Sequence, residues 1–196
     1  MSDPRLRRWL DELLRVPGLT AVRERGLAWR TLVEGSLVAV PQVRRFAGTV
    51  VDVGSGAGVP GVPLAIAMPD REIVLLEASE RKCRFLERVA RELPNVTVVR
   101  GRAEEQPVDR YGVALARALA PPPVATEWCL PLVAPGGAAI LFVGPFADTS
   151  AVARVSARLG GGLPEEHSGL LVVAKLAPTP VGFPRRTGMA RKRPLV

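Results

Sequence analysis

The residues with the clearest chemical meaning form a glycine loop, Asp52-Val53-Gly54-Ser55-Gly56-Ala57-Gly58-Val59-Pro60-Gly61. It follows the β-branched run Thr49–Val53 and leads into an apolar segment. A strand feeding such a loop, which then opens a helix, lets backbone N–H groups come close to a nucleotide-like ligand that a Cβ would obstruct. Two spacings overlap here. Gly54, Gly56 and Gly58 give the G-x-G-x-G pattern common in methyltransferases, whereas Gly56, Gly58 and Gly61 satisfy the dinucleotide pattern G-x-G-x-x-G. Glu77, at the end of the next expected strand, is placed to take both hydroxyls of a ribose, which suits either cofactor. Asp52 favours the first reading: an acid before the first glycine suits the ammonium end of a methionine moiety and would repel a pyrophosphate. The duller alternative is a tight turn with an acidic neighbour.

Positioning these residues requires a sheet. Strands are expected at Thr49–Val53, Ile73–Leu76, Val96–Val99, Val113–Ala116, Ala138–Val143 and Leu170–Ala174. Helices are expected between them at Pro63–Met68, Glu80–Leu93, Val124–Val133 and Ala151–Leu159. Two amphipathic helices, Leu6–Val16 and about Leu27–Val40 before Pro41, precede the first strand. Pro121–Pro123 would stiffen a loop after a strand, and Pro135-Gly136-Gly137 reads as a turn between a helix and the next strand. The alternation specifies right-handed crossovers and a mostly parallel sheet, with ligands at the carboxyl ends of its strands. The class is α/β, Rossmann-like. One domain is expected, divided into an N-terminal helical extension (1–47), the core (48–176) and a basic C-terminal tail (177–196).

Composition narrows the classes further. At 196 residues with 47% hydrophobic content, one core is expected. No apolar run is long enough to span a bilayer, and charges from Asp3 to Arg8 replace a signal region, so a cytoplasmic monomer without a membrane partner is expected. Cys83 and Cys129 lack metal-ligand spacing and read as reduced thiols, Cys129 as core. His167, the only histidine, reads as a surface-loop residue, so no metal is expected. The net charge of +8 is uneven: after Glu166 there is no acid, while Lys175, Arg185, Arg186, Arg191, Lys192 and Arg193 follow. Such a tail suits a phosphate backbone, with Arg185, Arg186 and Lys192 as candidate RNA contacts. Arginine-rich composition alone would produce a solvated tail with the same residues. Arg81, Lys82, Arg84, Arg88 and Arg91 read as an exposed helix face opposite Phe85, Leu86, Val89 and Leu93.

Several segments together are similar to one family. The loop with its continuation Pro60-Gly61-Val62-Pro63-Leu64-Ala65 resembles the cofactor loop of RsmG (GidB) proteins, 16S rRNA guanine-N7 methyltransferases. Leu75-Leu76-Glu77, Arg81-Lys82-Cys83-Arg84-Phe85-Leu86, Gly101-Arg102-Ala103-Glu104-Glu105 and Ala116-Arg117-Ala118 stand in that family's order. Leu19-Thr20-Ala21, Phe183-Pro184-Arg185-Arg186-Thr187-Gly188-Met189 and Lys192-Arg193-Pro194-Leu195 are similar too. The resemblance implies a class I fold that binds S-adenosyl-L-methionine, with 16S rRNA or the small ribosomal subunit as partner. Gly54, Gly56 and Val59 would then line the loop and Glu77 bind ribose. Ala103 and Glu104 would sit beside adenine, and Arg117 would border the methyl-donor site. The chain departs from the family at Arg30-Thr31, at Glu34-Gly35-Ser36 and at Val143-Gly144, which bears on substrate more than on cofactor.

Methylation at guanine N7 uses a free lone pair, so no general base is named and the task is positioning. Two other chemistries lack their marks. Ala120-Pro121-Pro122-Pro123 replaces the Asn/Asp-Pro-Pro-Tyr of adenine-N6 enzymes, and Cys129 lies within an expected helix rather than poised as a cytosine-C5 nucleophile. Two further readings stay open: a cofactor-binding, RNA-binding protein without turnover, and a nicotinamide enzyme, which the glycines permit although no Tyr-x-x-x-Lys set is present.

Overall fold

The computed structural model describes residues 3–195. Its centre is a seven-stranded sheet of order β3-β2-β1-β4-β5-β7-β6. The strands are β1 (Val50–Val53), β2 (Ile73–Glu77), β3 (Val96–Arg100), β4 (Tyr111–Arg117), β5 (Val133–Phe142), β6 (Gly161–His167) and β7 (Leu170–Lys175). The first five are parallel, and β7 runs antiparallel to both β5 and β6. Because β1 pairs with β2 on one side and β4 on the other, the strand order reverses there, and a crevice opens above its carboxyl end.

Side-chain alternation divides the core into two. Val50, Ile73, Leu75, Val113, Leu115 and Ile140 face α1 (Pro4–Arg15), α5 (Gly61–Ala67) and α6 (Glu80–Ala90). Val51, Val53, Leu76, Ala114, Ala116 and Leu141 face α7 (Pro122–Cys129) and α8 (Thr149–Ala157). Asp3 caps α1, accepting the Arg5 N–H at 2.8 Å, and Pro4 occupies the first turn, where its missing N–H costs nothing. The helix buries Leu6, Trp9, Leu10 and Leu13. Trp9 Nε1 donates to the Ala57 carbonyl at 3.2 Å, tying the leading helix to the glycine loop.

Four expectations from sequence need correction. The second leading helix is broken into α2 (Arg25–Ala28), a π-helical turn Trp29–Glu34, α3 (Gly35–Leu37) and α4 (Val40–Val43). Pro41 does not end it, because it sits in the first turn of α4, where no N–H is required. The helix begun at Pro122 tightens to a 3-10 turn at Leu130–Leu132, since Pro131 cannot continue the ladder. Pro135-Gly136-Gly137 is no helix-to-strand turn but a bulge inside β5: Val133 already pairs with Tyr111, and Ala138 with Val113. His167 is the last residue of β6 rather than a loop residue, half-buried beside Glu165 at 3.2 Å. Cys129 is fully buried, as expected, and burial pushes its thiol up, consistent with an inert core role. Among the described residues no helix is long and apolar enough to cross a membrane, and no cluster of metal-ligating side chains occurs.

Candidate cofactor site

Gly54 turns the chain out of β1 and stands between two cavities. Its φ of +68° is reachable without strain only by glycine, and a Cβ there would lie 2.4 Å from Leu119 Cδ1. Its N–H and that of Ser55 both donate to the Leu76 carbonyl, at 2.8 and 3.1 Å. The loop is thereby pinned to the neighbouring strand.

The first cavity, of about 150 Å³, lies over the ends of β1 and β2. Val53, Leu76, Ala103, Leu119 and Trp128 make it largely apolar, with Glu104 and Arg191 at its edge. Ala103 and Glu104 belong to a 3-10 turn, Ala103–Glu105. The second cavity, of about 250 Å³, lies across the loop and is lined by Leu13, Gly54, Gly56, Val59, Lys82 and Arg117, with Thr20 of the loop after α1 and Leu32 of the π-helical turn closing it. An apolar lobe and a second lobe that carries two cations, Lys82 and Arg117, share one glycine and match the two halves of S-adenosylmethionine, a purine nucleoside and an amino acid. The residues present fit that group.

Glu77 is buried at 7% exposure at the end of β2, between Leu76, which lines the first cavity, and Gly56, which lines the second. One carboxylate oxygen accepts the Gly56 N–H at 2.9 Å and the other the Ser79 N–H at 2.8 Å, with Lys82 Nζ 4.0 Å away. It shapes the loop directly, and each oxygen keeps a further lone pair for a hydroxyl donor.

Asp52 does not do what its position before the glycines suggested. Its side chain is 1% exposed and lies beneath the loop, where Oδ2 accepts the Gly61 N–H at 2.9 Å. A Cβ on Gly61 would come within 2.7 Å of that same oxygen, so the close approach explains the glycine. Burial pushes the carboxyl up to about 7, against the pull of the Gly61 hydrogen bond. Asp52 braces the loop from behind instead of meeting a ligand's ammonium group.

Arg117, at the end of β4, is half-buried above the Phe142 ring at 5.2 Å. It donates to the Thr31 carbonyl at 2.7 Å and to Ser36 Oγ at 3.1 Å. Two of the three segments read in the sequence as departures from the family pattern thus meet at one guanidinium. Burial lowers its pKa, and the nearby Asp52 carboxylate opposes that shift. The contacts join the cofactor loop's neighbourhood to the π-helical turn, a connection that nothing in the sequence spacing announced.

The basic side chains divide by location. On α6, Arg88 pairs with Glu12 at 3.3 Å, and Arg81 donates to the Pro17 carbonyl, so part of the expected free face is spent holding α1 and the segment after it. In the tail, Arg185 forms a two-pronged pair with Glu127 of α7, at 2.6 and 2.7 Å, and also donates to the Arg193 carbonyl at 2.8 Å. Glu127 is only 3% exposed, so this pair is structural. Lys175 is fully buried and donates to the Leu159 carbonyl and Thr179 Oγ1. Arg186, Lys192 and Arg193 are exposed.

Comparison with known proteins agrees with this geometry. The family model for GidB, rRNA small subunit methyltransferase G, matches residues 5–157. Ribosomal RNA small subunit methyltransferase G of Salinispora arenicola is 39% identical over 191 residues, covering 91% of this chain and 78% of that one. Its counterpart in Synechococcus elongatus is 38% identical over 169 residues, covering 76% and 70%. Among solved structures, a SAM-dependent O-methyltransferase from Thermotoga maritima superposes with a TM-score of 0.61 at 14% identity, covering 88% of this chain and 72% of that one. That likeness is one of fold. On the family match and the identities to its members, this chain belongs to the GidB family of rRNA small subunit methyltransferases.

Proposed function

We propose that the chain transfers a methyl group from S-adenosyl-L-methionine to N7 of a guanine in 16S rRNA, acting on the small ribosomal subunit or its RNA. The observation that carries this reading is the glycine loop at the strand-order reversal, shared by an apolar cavity and one that carries Lys82 and Arg117, in a chain of this family. When bound, the cofactor supplies an electrophilic methyl group on a sulfonium. The protein's part is to orient and to exclude water.

In this reading Leu76, Ala103 and Leu119 hold the purine in the first cavity, and Glu77 adds acceptor oxygens for the ribose while keeping the loop in shape. Gly54, Gly56 and Val59 leave room for the methionine end in the second. Guanine N7 has no proton to lose, so no base is required; a guanine edge does present O6 beside N7, and Lys82 and Arg117 are the donors available to it. Arg117 keeps N–H groups free after its two contacts. Of the tail cations, Arg186 and Lys192 are free to meet phosphates, whereas Arg185 is committed to Glu127.

The test is methyl transfer from labelled S-adenosylmethionine to small subunits and to naked 16S rRNA lacking the modification, with the product mapped by mass spectrometry. One site of N7-methylguanosine is expected. Cofactor binding without transfer to either substrate would instead support a non-catalytic RNA-binding member, a reading that the altered surroundings of Arg117 make specific.

A further inference from the structure

The C-terminal segment reads in sequence as a basic arm for RNA, but its fold places part of it against the apolar cavity. Three contacts seat it there. The Gly188 N–H donates to Glu104 Oε1 at 3.0 Å. Arg191 lies over the Trp128 ring at 5.2 Å and donates to the Leu119 carbonyl at 3.2 Å. Ala190, between them in the short helix Met189–Lys192, is 2% exposed. Gly188, Arg191 and Trp128 all line the cavity that also holds Ala103 and Glu104.

One polar atom in this wall has no partner. Trp128 Nε1 is shielded from solvent and finds no acceptor among the described residues. Buried indole N–H groups ordinarily have one, so this orphan donor, closed off from solvent, marks a place where a ligand can supply the acceptor once the cavity wall shifts to admit it. A purine ring nitrogen or a ribose oxygen has that chemistry.

We propose that the segment Gly188–Arg191 is an integral wall of the cofactor site, with Arg191 stacked on Trp128 to close the adenosine lobe and the indole N–H serving as a donor to it. This rests on the cofactor reading above and adds residues to it. Arg191 is therefore a cofactor-positioning cation, distinct in role from its neighbours Lys192 and Arg193. Ligand and tail stabilise each other by linkage: binding of adenosine seats the segment, and the seated segment retains adenosine.

The experiment is calorimetric titration of the 196-residue chain with S-adenosylhomocysteine, together with limited trypsin digestion with and without it. Arg191→Ala and Trp128→Phe are each expected to weaken binding about five-fold or more, while Arg193→Ala leaves it unchanged. The ligand is expected to slow cleavage after Arg191 and Lys192. Arg191 is exposed and Trp128→Phe keeps a ring, so both variants should melt close to wild type without ligand, which separates lost binding from lost folding. Wild-type affinity in Arg191→Ala, or cleavage indifferent to ligand, would overturn the proposal while leaving the cofactor reading intact. Failure of the wild-type chain to bind would overturn both.

Discussion

At the scale of single residues, the glycine loop is constrained from two sides. Any side chain at Gly54 must adopt a left-handed conformation and displace Leu119, whose Cδ1 would lie 2.4 Å from the new Cβ. Gly54→Ala should therefore cost about 1–2 kcal/mol in backbone strain and also deform the apolar cavity that Leu119 lines. Binding of S-adenosylmethionine, measured by calorimetry, should fall about ten-fold or more; unchanged affinity would mean that the loop does not touch the cofactor. Beneath the loop, burial raises the Asp52 carboxyl from 3.8 to about 7. The folded state therefore holds a proton that the unfolded chain releases above about pH 4. Between about pH 4 and 7 the unfolded chain binds fewer protons, so this group's contribution to stability falls as pH rises, by up to about 1.4 kcal/mol per pH unit. Asp52→Asn should flatten that window in a series of melting temperatures. A variant whose profile parallels the wild type would show that Asp52 is already ionised in the fold.

Among the secondary-structure elements, what sequence makes legible is what periodicity encodes. The runs Val50–Val53 and Ile73–Glu77, the glycine loop and the face of α6 carrying Phe85, Leu86 and Val89 could be read directly, because each contrasts with its flanks in hydrophobicity or in backbone demand. The strand β6 could not: Gly161-Gly162-Leu163-Pro164-Glu165-Glu166-His167 is polar and contains glycine and proline, tolerable only because it is an edge strand whose one neighbour, β7, supplies the pairing. The placement of Asp52 was equally hidden, since strand alternation tells which face a residue takes but not whether a loop folds over it. The π-helical turn Trp29–Glu34 depends on a partner distant in sequence, Arg117, which satisfies the Thr31 carbonyl and Ser36 Oγ. Widened helical turns of this kind are frequent at functional sites. Arg117→Lys keeps the charge but cannot span both acceptors with a planar fork, so a charged hydrogen bond worth about 1.5–3 kcal/mol is lost. Amide exchange across Trp29–Ser36 should accelerate, and methyl transfer should drop by about ten-fold or more. Exchange rates equal to wild type would show that the turn holds itself.

Over the whole molecule, the net charge of +8 matters less than where it is free. Of the basic side chains after Glu166, Lys175 is buried and Arg185 is locked to Glu127, whereas Arg186 and Lys192 stand in solvent. Two kinds of arginine, adjacent in sequence, should then fail in different ways. Removing Arg185 leaves the Glu127 carboxylate, 3% exposed, without its cation, and breaking a buried pair in this way typically costs about 3–5 kcal/mol. Arg185→Ala should lower the melting temperature and free the tail from α7. Arg186→Ala combined with Lys192→Ala should leave the melting temperature within a degree or two, because neither side chain is buried. Its effect should appear in RNA binding. Each phosphate contact releases counterions and contributes roughly 0.7–0.9 to the slope of log affinity against log salt, so the double variant should lower the slope by roughly one and a half. The measurement is 16S rRNA affinity at a series of salt concentrations for wild type, Arg185→Ala and the double variant. A double variant with the wild-type slope would move the RNA surface away from the tail and leave the remaining exposed basic side chains, Arg84 and Arg91 among them, to supply the phosphate contacts.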